Sequence, residues 1–236
     1  MIGIVLVSHS PKLAEAALEL AREMAPGEEP RVALAAGTND GRTGTDATRV
    51  AEAIAEVASP DGVLVLMDLG SAVLSAELAL EFAGDTGGEV RLSSAPVVEG
   101  LLAAVVRARG GASLDEADRE ARAALGAKQS QLGDNATPAV EATPASGSDV
   151  TERFVITNAE GLHARPASLL VGALGGLDVR VTVASGDKKP VDGRSPIGLM
   201  ALGVRAGDEI TVTASGPQAA DAMAAIRALV ADSFGE

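Results

Sequence analysis

Two histidines are the residues whose type and placement best suit chemistry in this chain of 236 residues, which contains no others. His9 and His163 each follow a short apolar run typical of a strand and precede a segment with helical periodicity. A histidine ring can carry a covalent intermediate, and the N–H groups at a helix N-terminus bind anions. Phosphohistidine chemistry is therefore one interpretation at both positions. The alternative is a helix cap or surface residue for His163 and an ordinary residue of the sheet edge for His9, and placement alone does not decide between them.

The neighbours of His163 suit a phosphoryl group. In the sequence GLHARPAS, residues 161–168, Arg165 can bond phosphate oxygens through two N–H groups. Pro166 fits the first turn of a helix, where no N–H donor is needed. The spacing predicts His163 at or beside the helix N-cap. Ser195 precedes a further predicted helix, and an N-cap role is sufficient to explain it.

Polar residues are also expected around His9. Asp68 ends the third predicted strand, Ser71 opens the helix after it, and Thr38 lies in the loop after the second strand. In a doubly wound sheet these loops form the ligand crevice. Asp68 can then orient the imidazole and favour its protonated form, while Thr38 and Ser71 can bond a phosphate. The alternative interpretation makes them an ordinary turn residue, loop residue and N-cap.

Composition argues against several other functions. The chain has no cysteine, which excludes thiol catalysis and thiolate metal sites. Two histidines in separate domains supply too few ligands for a metal centre, so we expect none. We find no P-loop and no dinucleotide fingerprint, and therefore expect no resident cofactor. A net charge of −14 with only 1% aromatic residues argues against nucleic acid and membrane partners.

Residues 1–130 have the pattern of a doubly wound α/β domain. The predicted strands are apolar throughout, which is typical of a parallel sheet covered on both faces. These strands are Ile2–Val7, Val32–Ala35, Val63–Met67 and Val90–Leu92. The predicted helices are Leu13–Met24, Asp46–Val57, Ser71–Phe82, Val97–Arg107 and Leu114–Leu125, the last opening with a capping box from Ser113 to Glu116.

The composition then changes. Residues 131–150 are rich in Ala, Pro, Ser, Gly and Thr, which predicts an interdomain linker. Residues 151–236 follow the order β-α-β-β-α-β-α with alternating strands, which predicts an α+β open-faced sandwich. Its strands are Arg153–Thr157, Val179–Ala184, Lys189–Val191 and Ile210–Thr213, and its helices are Ala164–Leu174, Pro196–Ala201 and Gln218–Asp232. The charge differs too, with 11 basic against 23 acidic residues in 1–150 and 8 against 10 in 151–236.

Residues 151–236, with GLHARPAS as their motif, resemble HPr, the phosphocarrier of the bacterial phosphoenolpyruvate-dependent phosphotransferase system. The resemblance implies that His163 is phosphorylated and that Arg165 is its phosphate partner. A second similar stretch is GRSPIGLMALGV, residues 193–204. It places Ser195 where many members of that family carry a regulatory serine.

Residues 1 to about 125 resemble the DhaM family of phosphotransferase subunits, whose N-terminal domain has the mannose-type enzyme IIA fold. The stretches that carry this resemblance are VSHSPKLAE, VLVLMDLGSAVLSAELAL and APVVEG. The resemblance implies that His9 is a second phosphorylation site and that the domain forms a homodimer. Some DhaM chains carry an enzyme I-like segment that these residues lack, so we expect enzyme I to act in trans.

Together the two resemblances imply a relay. Enzyme I, charged by phosphoenolpyruvate, phosphorylates His163; His163 passes the group to His9; and His9 donates it to ADP on a DhaL-type subunit, with dihydroxyacetone held by a DhaK-type subunit. Mg-ADP is then expected on the partner. Two alternatives stay open: a sugar-transport enzyme IIA fused to its own HPr, and a regulatory module that reports its phosphorylation state. No signal peptide or membrane span is apparent, so we expect a cytoplasmic location.

Overall fold

The computed structural model describes residues 1–25, 30–39, 41–132, 149–186 and 188–235. It divides into two compact units, Met1–Leu125 and Gly126–Glu236. Most of the predicted linker, 131–150, lies outside the described residues.

The first unit is an α/β layer structure around four parallel strands in the order β2-β1-β3-β4. The two central strands are buried along their whole length, as continuous apolar runs in a parallel sheet require. The elements in chain order are β1 (Gly3–Ser8), α1 (Pro11–Met24), β2 (Val32–Ala36), α2 (Ala47–Glu56), β3 (Val63–Met67), α3 (Gly70–Phe82), β4 (Val90–Ser93), α4 (Val97–Arg109) and α5 (Leu114–Arg122).

The strand order places a topological switch point between β1 and β3. The chain leaves β1 toward β2 on one side and returns to β3 on the other. Val7 pairs with Met67 at this boundary, so the two strands end side by side. In open α/β sheets such a crevice is where ligands bind.

The second unit is an antiparallel sheet in the order β5-β8-β6-β7. Burial alternates along β8, so one face of the sheet packs on helices and the other faces outward. The elements are α6 (Gly126–Leu132), β5 (Val150–Val155), α7 (Ala164–Ala173), β6 (Arg180–Ala184), β7 (Val191–Asp192), α8 (Pro196–Ala201), β8 (Glu209–Ser215) and α9 (Ala219–Ala231), followed by a short 3₁₀ turn (Ser233–Gly235).

The predicted fold classes are confirmed, and the differences are one additional helix and several element ends. Helix α6 was not predicted, because its short sequence GAKQSQL has no apolar periodicity. Strand β5 begins at Val150 and ends before Ile156, since its pairing partners on β8 run from Ala214 back to Glu209. The capping box at Ser113 is present as predicted. No helix in the described part of the chain has the length and apolarity to cross a membrane.

Candidate phosphohistidine sites

His9 and Asp68 meet at the switch point. His9 directly follows β1, and Asp68 directly follows β3. The His9 Nδ1 lies 2.8 Å from Asp68 Oδ1, and the His9 backbone N–H donates to Asp68 Oδ2 at 2.8 Å. The two side chains are 19% and 10% exposed. The carboxylate therefore fixes both the backbone and the ring of the histidine.

Four donors surround the Asp68 carboxylate. Besides the two from His9, the Ser8 hydroxyl donates at 2.9 Å and the Leu69 N–H at 2.7 Å. Burial alone would raise the pKa of Asp68, but these hydrogen bonds outweigh it and hold the pKa below the ordinary value. An ionised carboxylate only accepts hydrogen bonds. The Asp68 side chain therefore requires the ring proton on His9 Nδ1.

Ser71 completes the ring environment on the other side. Its hydroxyl lies 2.6 Å from His9 Nε2. With the proton held on Nδ1, Nε2 of the neutral ring carries the lone pair and accepts this bond. The N-cap of α3 is Leu69, so the interpretation of Ser71 as an ordinary N-cap is wrong. The structure thus brings His9, Asp68 and Ser71 together, with the lone pair of the His9 ring on Nε2.

The residues after β2, 37–39 and 41–46, include two that contact the chain at His9. Gly37 donates its N–H to the Ser8 carbonyl and Gly44 donates to the His9 carbonyl, both at 3.0 Å. The predicted phosphate ligand Thr38 lies in this loop, where its hydroxyl donates to the Arg42 carbonyl at 3.1 Å. The Thr38 hydroxyl thus closes its own turn.

His163 is the N-cap of α7, as predicted. Its backbone is extended, its carbonyl accepts the first helical bond from Ala167 N–H at 3.0 Å, and its side chain makes no capping bond. The ring is 29% exposed, and Nε2 lies 4.0 Å from the exposed carboxylate of Glu160. A ring beside the first N–H groups of a ten-residue helix can present an anion to them.

The turn before His163 depends on two residues that sequence reasoning did not single out. Gly161 has φ +73°, and a Cβ there would lie 2.1 Å from the Val204 carbonyl oxygen. The Asn158 side-chain amide donates to the Gly161 carbonyl at 2.7 Å and is buried. The sequence offered one signal for the role of Gly161, a glycine two residues before a histidine. It offered no signal for Asn158, because the contact of that residue depends on how the loop closes.

The remaining predicted residues of this unit are Arg165 and Ser195. Arg165 is exposed at the second position of α7, and within the described residues its guanidinium forms no ion pair. Ser195 is the N-cap of α8, and its Oγ accepts from Gly198 N–H at 2.8 Å. The capping role of Ser195 is therefore observed. Its regulatory role stays a prediction.

A metal centre was not expected, and the described residues contain no cluster of three or more His, Asp or Glu side chains around one point. The prediction that the chain binds no metal stays a prediction.

Two family models match the chain. The model described as PTS system fructose IIA component matches residues 3–118, and the model described as PTS HPr component phosphorylation site matches residues 150–232. Each matched region contains one of the two histidines.

Curated relatives match as well. A protein of Pantoea ananatis, named PEP-dependent dihydroxyacetone kinase, phosphoryl donor subunit DhaM, is 45% identical over 243 residues, covering 100% of this chain and 51% of the relative. The protein of the same name in Escherichia coli K12 is 43% identical, with the same coverage. A Listeria innocua protein, named as the corresponding subunit of dihydroxyacetone kinase 2, is 42% identical over 109 residues, covering 45% of this chain and 86% of the relative. The chain spans about half the length of the first two relatives.

Proposed function

This chain belongs to the DhaM family of phosphoryl donor subunits, and from that premise we propose that it is a phosphohistidine relay. His163 receives a phosphoryl group from enzyme I, charged by phosphoenolpyruvate, and passes it to His9. His9 then donates it to ADP on a DhaL-type subunit, which supports phosphorylation of dihydroxyacetone held by a DhaK-type subunit. The observation that carries the proposal is the His9 ring, with Nδ1 on Asp68 and Nε2 toward Ser71.

The transfer to His9 is an in-line displacement at phosphorus. The Nε2 lone pair of His9 forms a bond to phosphorus while the bond from phosphorus to the His163 ring nitrogen breaks. The Nδ1 proton stays in place, and its hydrogen bond to Asp68 stabilises the positive charge that the His9 ring acquires. Phosphoryl transfer requires mostly positioning and charge stabilisation. Asp68 supplies both, because it binds the ring and the backbone of the same residue.

When His163 carries the phosphoryl group, the start of helix α7 and one arginine bind its oxygens. Ala164 and Arg165 occupy the first two positions of α7, where backbone N–H groups have no acceptor within the helix. These donors and the positive end of the helix dipole favour a dianionic group, by about 0.3–1 kcal/mol at an exposed site. The Arg165 guanidinium adds charge-assisted bonds to the phosphoryl oxygens.

The proposed partners follow from family membership. Enzyme I supplies the phosphoryl group, and the kinase subunits bind dihydroxyacetone and Mg-ADP. The sequence contains no P-loop or dinucleotide motif, which agrees with a nucleotide site on a partner. We also propose a homodimer formed through the first unit and a cytoplasmic location.

The relay is tested by labelling. The chain is incubated with enzyme I and labelled phosphoenolpyruvate, without any other HPr, and label is mapped in the wild type, in His9→Ala and in His163→Ala. We expect label on both histidines in the wild type, on His163 alone in His9→Ala, and on neither in His163→Ala. A parallel reaction without enzyme I tests whether it is required in trans.

The acceptor is tested next. Adding a DhaL-type subunit with ADP to the labelled chain should discharge His9 and produce labelled ATP. Label that leaves His9 only for a sugar permease would identify a transport enzyme IIA. Label that stays on the chain with every acceptor would identify a regulatory module. Label on His163 that never reaches His9 would overturn the relay itself.

A further inference from the structure

Three hydrogen bonds connect His9, the loop after β2 and helix α3. The His9 carbonyl accepts from Gly44 N–H at 3.0 Å. The next residue, Thr45, has its Oγ1 2.7 Å from Ser75 Oγ. Ser71, on the same helix, bonds His9 Nε2 at 2.6 Å. The loop after β2 and helix α3 are therefore tied to each other and to the two ends of one histidine.

The spacing on α3 links the two serines. Ser71 and Ser75 are four residues apart, so their side chains lie on one face, one turn apart. Thr45 is consequently attached to the helix face that presents Ser71 to the ring. Neither the Thr45–Ser75 bond nor the Gly44–His9 bond includes the reacting nitrogen, whereas Ser71 bonds it directly.

Phosphorylation of His9 changes one of these three hydrogen bonds, the one between Ser71 and Nε2. The new bond to phosphorus uses the Nε2 lone pair that accepts the Ser71 proton in the unmodified ring. Ser71 must then turn to a phosphoryl oxygen, and the Ser71–Nε2 contact no longer holds α3 against the histidine. The Thr45–Ser75 bond uses neither atom of that contact and is unaffected by the change.

We propose that Thr45 and Ser75 are positioning residues that hold Ser71 against the phosphoryl group on His9. The inference rests on the proposed phosphorylation of His9. Gly44 fits the same role, because it has φ +154° and a Cβ there would lie 2.8 Å from Thr38 Cγ2. A side chain at that position would press on the Thr38 methyl group and strain the backbone beside Thr45.

The test uses phosphoramidate, which phosphorylates histidine without an enzyme. The phosphorus–nitrogen bond of phosphoramidate breaks, ammonia leaves, and the bond to His9 Nε2 forms. The full chain carries His163→Ala so that only His9 reacts. We expect Thr45→Val to slow labelling of His9 about three- to tenfold, the effect of losing one hydrogen bond, and Thr45→Ser to restore the rate.

Coupling to Ser71 separates positioning from simple structural support. In a Ser71→Ala background, Thr45→Val should cause no further loss of rate, because its effect passes through that hydroxyl. The His9 Nε2 nitrogen chemical shift should change in Thr45→Val, while the Nδ1 shift should not. The control is Thr86→Val, which removes a partly buried hydroxyl bond to the Gly88 carbonyl elsewhere in the same unit.

The outcomes are distinct. An unchanged labelling rate in folded Thr45→Val, or an equal loss in the presence and absence of the Ser71 hydroxyl, overturns the proposal. If phosphoramidate labels His9 and the coupling is observed, but enzyme I with phosphoenolpyruvate never labels His9 in the chain that retains His163, the relay fails and the positioning role stands.

Discussion

The two histidine sites are built in opposite ways. The His9 ring is bound on both nitrogens, by Asp68 at 2.8 Å and Ser71 at 2.6 Å, and is the more buried of the two. His163 is the N-cap of α7, with the exposed Arg165 two residues further on and the Glu160 carboxylate 4.0 Å from Nε2. At the first site side chains hold both ring nitrogens. At the second site the ring stands beside the unpaired backbone N–H groups of a helix start.

This difference suits the order of the proposed relay. In the proposed relay His163 receives its phosphoryl group from a separate protein, enzyme I, so its ring must be approached from outside, and an N-cap on a helix end is accessible. A group that delivers phosphoryl to one nucleotide gains from a fixed ring, because a misplaced nucleophile reacts more slowly. The following substitutions test this contrast, in order of expected effect.

Asp68→Asn should have the largest effect. An asparagine amide that donates to Nδ1 would place the ring proton on Nε2 and so block the nucleophilic atom. We expect labelling of His9 to slow by on the order of 10²–10⁴-fold, with labelling of His163 unchanged. The measurement is quenched-flow labelling with enzyme I and phosphoenolpyruvate.

The matched control for that experiment is Asp85→Asn, because Asp85 also accepts a backbone N–H bond, from Gly87, but lies outside the site. Equal losses in the two variants would show that the Asp68 effect is not specific to the ring. A normal rate in Asp68→Asn would remove the basis for describing His9 as fixed by side chains.

Gly161→Ala should test whether the position of His163 depends on the backbone of the turn that precedes it. Gly161 and Gly176 share φ +73°, but only at Gly161 would a Cβ collide with a backbone atom. We expect Gly161→Ala to destabilise the second unit by about 2–4 kcal/mol and Gly176→Ala by about 1 kcal/mol. Urea unfolding with hydrogen exchange at the β8 amides measures both. Equal values would show that the turn before His163 is not constrained by packing.

Arg165→Ala should weaken phosphorylation of His163 by about 10- to 100-fold, because charge-assisted bonds to the phosphoryl oxygens are lost. Arg165→Lys should recover part of the rate, since a lysine keeps the charge but not the paired donors. The exposed Arg180 of the same unit provides the control in Arg180→Ala. If Arg165→Ala is labelled at the normal rate, the helix N-terminus alone accounts for the site.

The sequence was sufficient to predict that the histidine, aspartate and serine of the first site lie together, because parallel strands end at one edge of the sheet. His9 and Asp68 each directly follow a strand, so a correct assignment of β1 and β3 brings them together. It was not sufficient for the loop after β2. The Thr38 hydroxyl closes its own turn, and the Thr45–Ser75 bond joins residues thirty apart whose types carry no periodic pattern. Such contacts depend on how the loop closes, which local propensity does not determine.

The smallest effect concerns pH. The pKa of Asp68 is lowered in the folded chain, from an ordinary value of 3.8, by hydrogen bonds that outweigh its burial. A carboxyl with a lowered folded-state pKa contributes stability that is fully present above its unfolded pKa and is lost as pH falls through the folded one. The free energy of unfolding of the wild type should therefore exceed that of Asp68→Asn above about pH 5, and the gap should shrink below about pH 4.

The comparison with the second site makes this prediction specific. Glu160 is 78% exposed and 4.0 Å from the His163 ring, and exposed ion pairs contribute about 0–1 kcal/mol. Glu160→Gln should therefore leave the free energy of unfolding nearly unchanged across the same pH range. Urea titrations of the three proteins from pH 3 to pH 7 measure both gaps. The contrast between the sites fails if the difference in free energy of unfolding between wild type and Asp68→Asn does not shrink on acidification. It also fails if Glu160→Gln produces a difference of the same size, because the two histidines would then not differ in how strongly their carboxylates are bound.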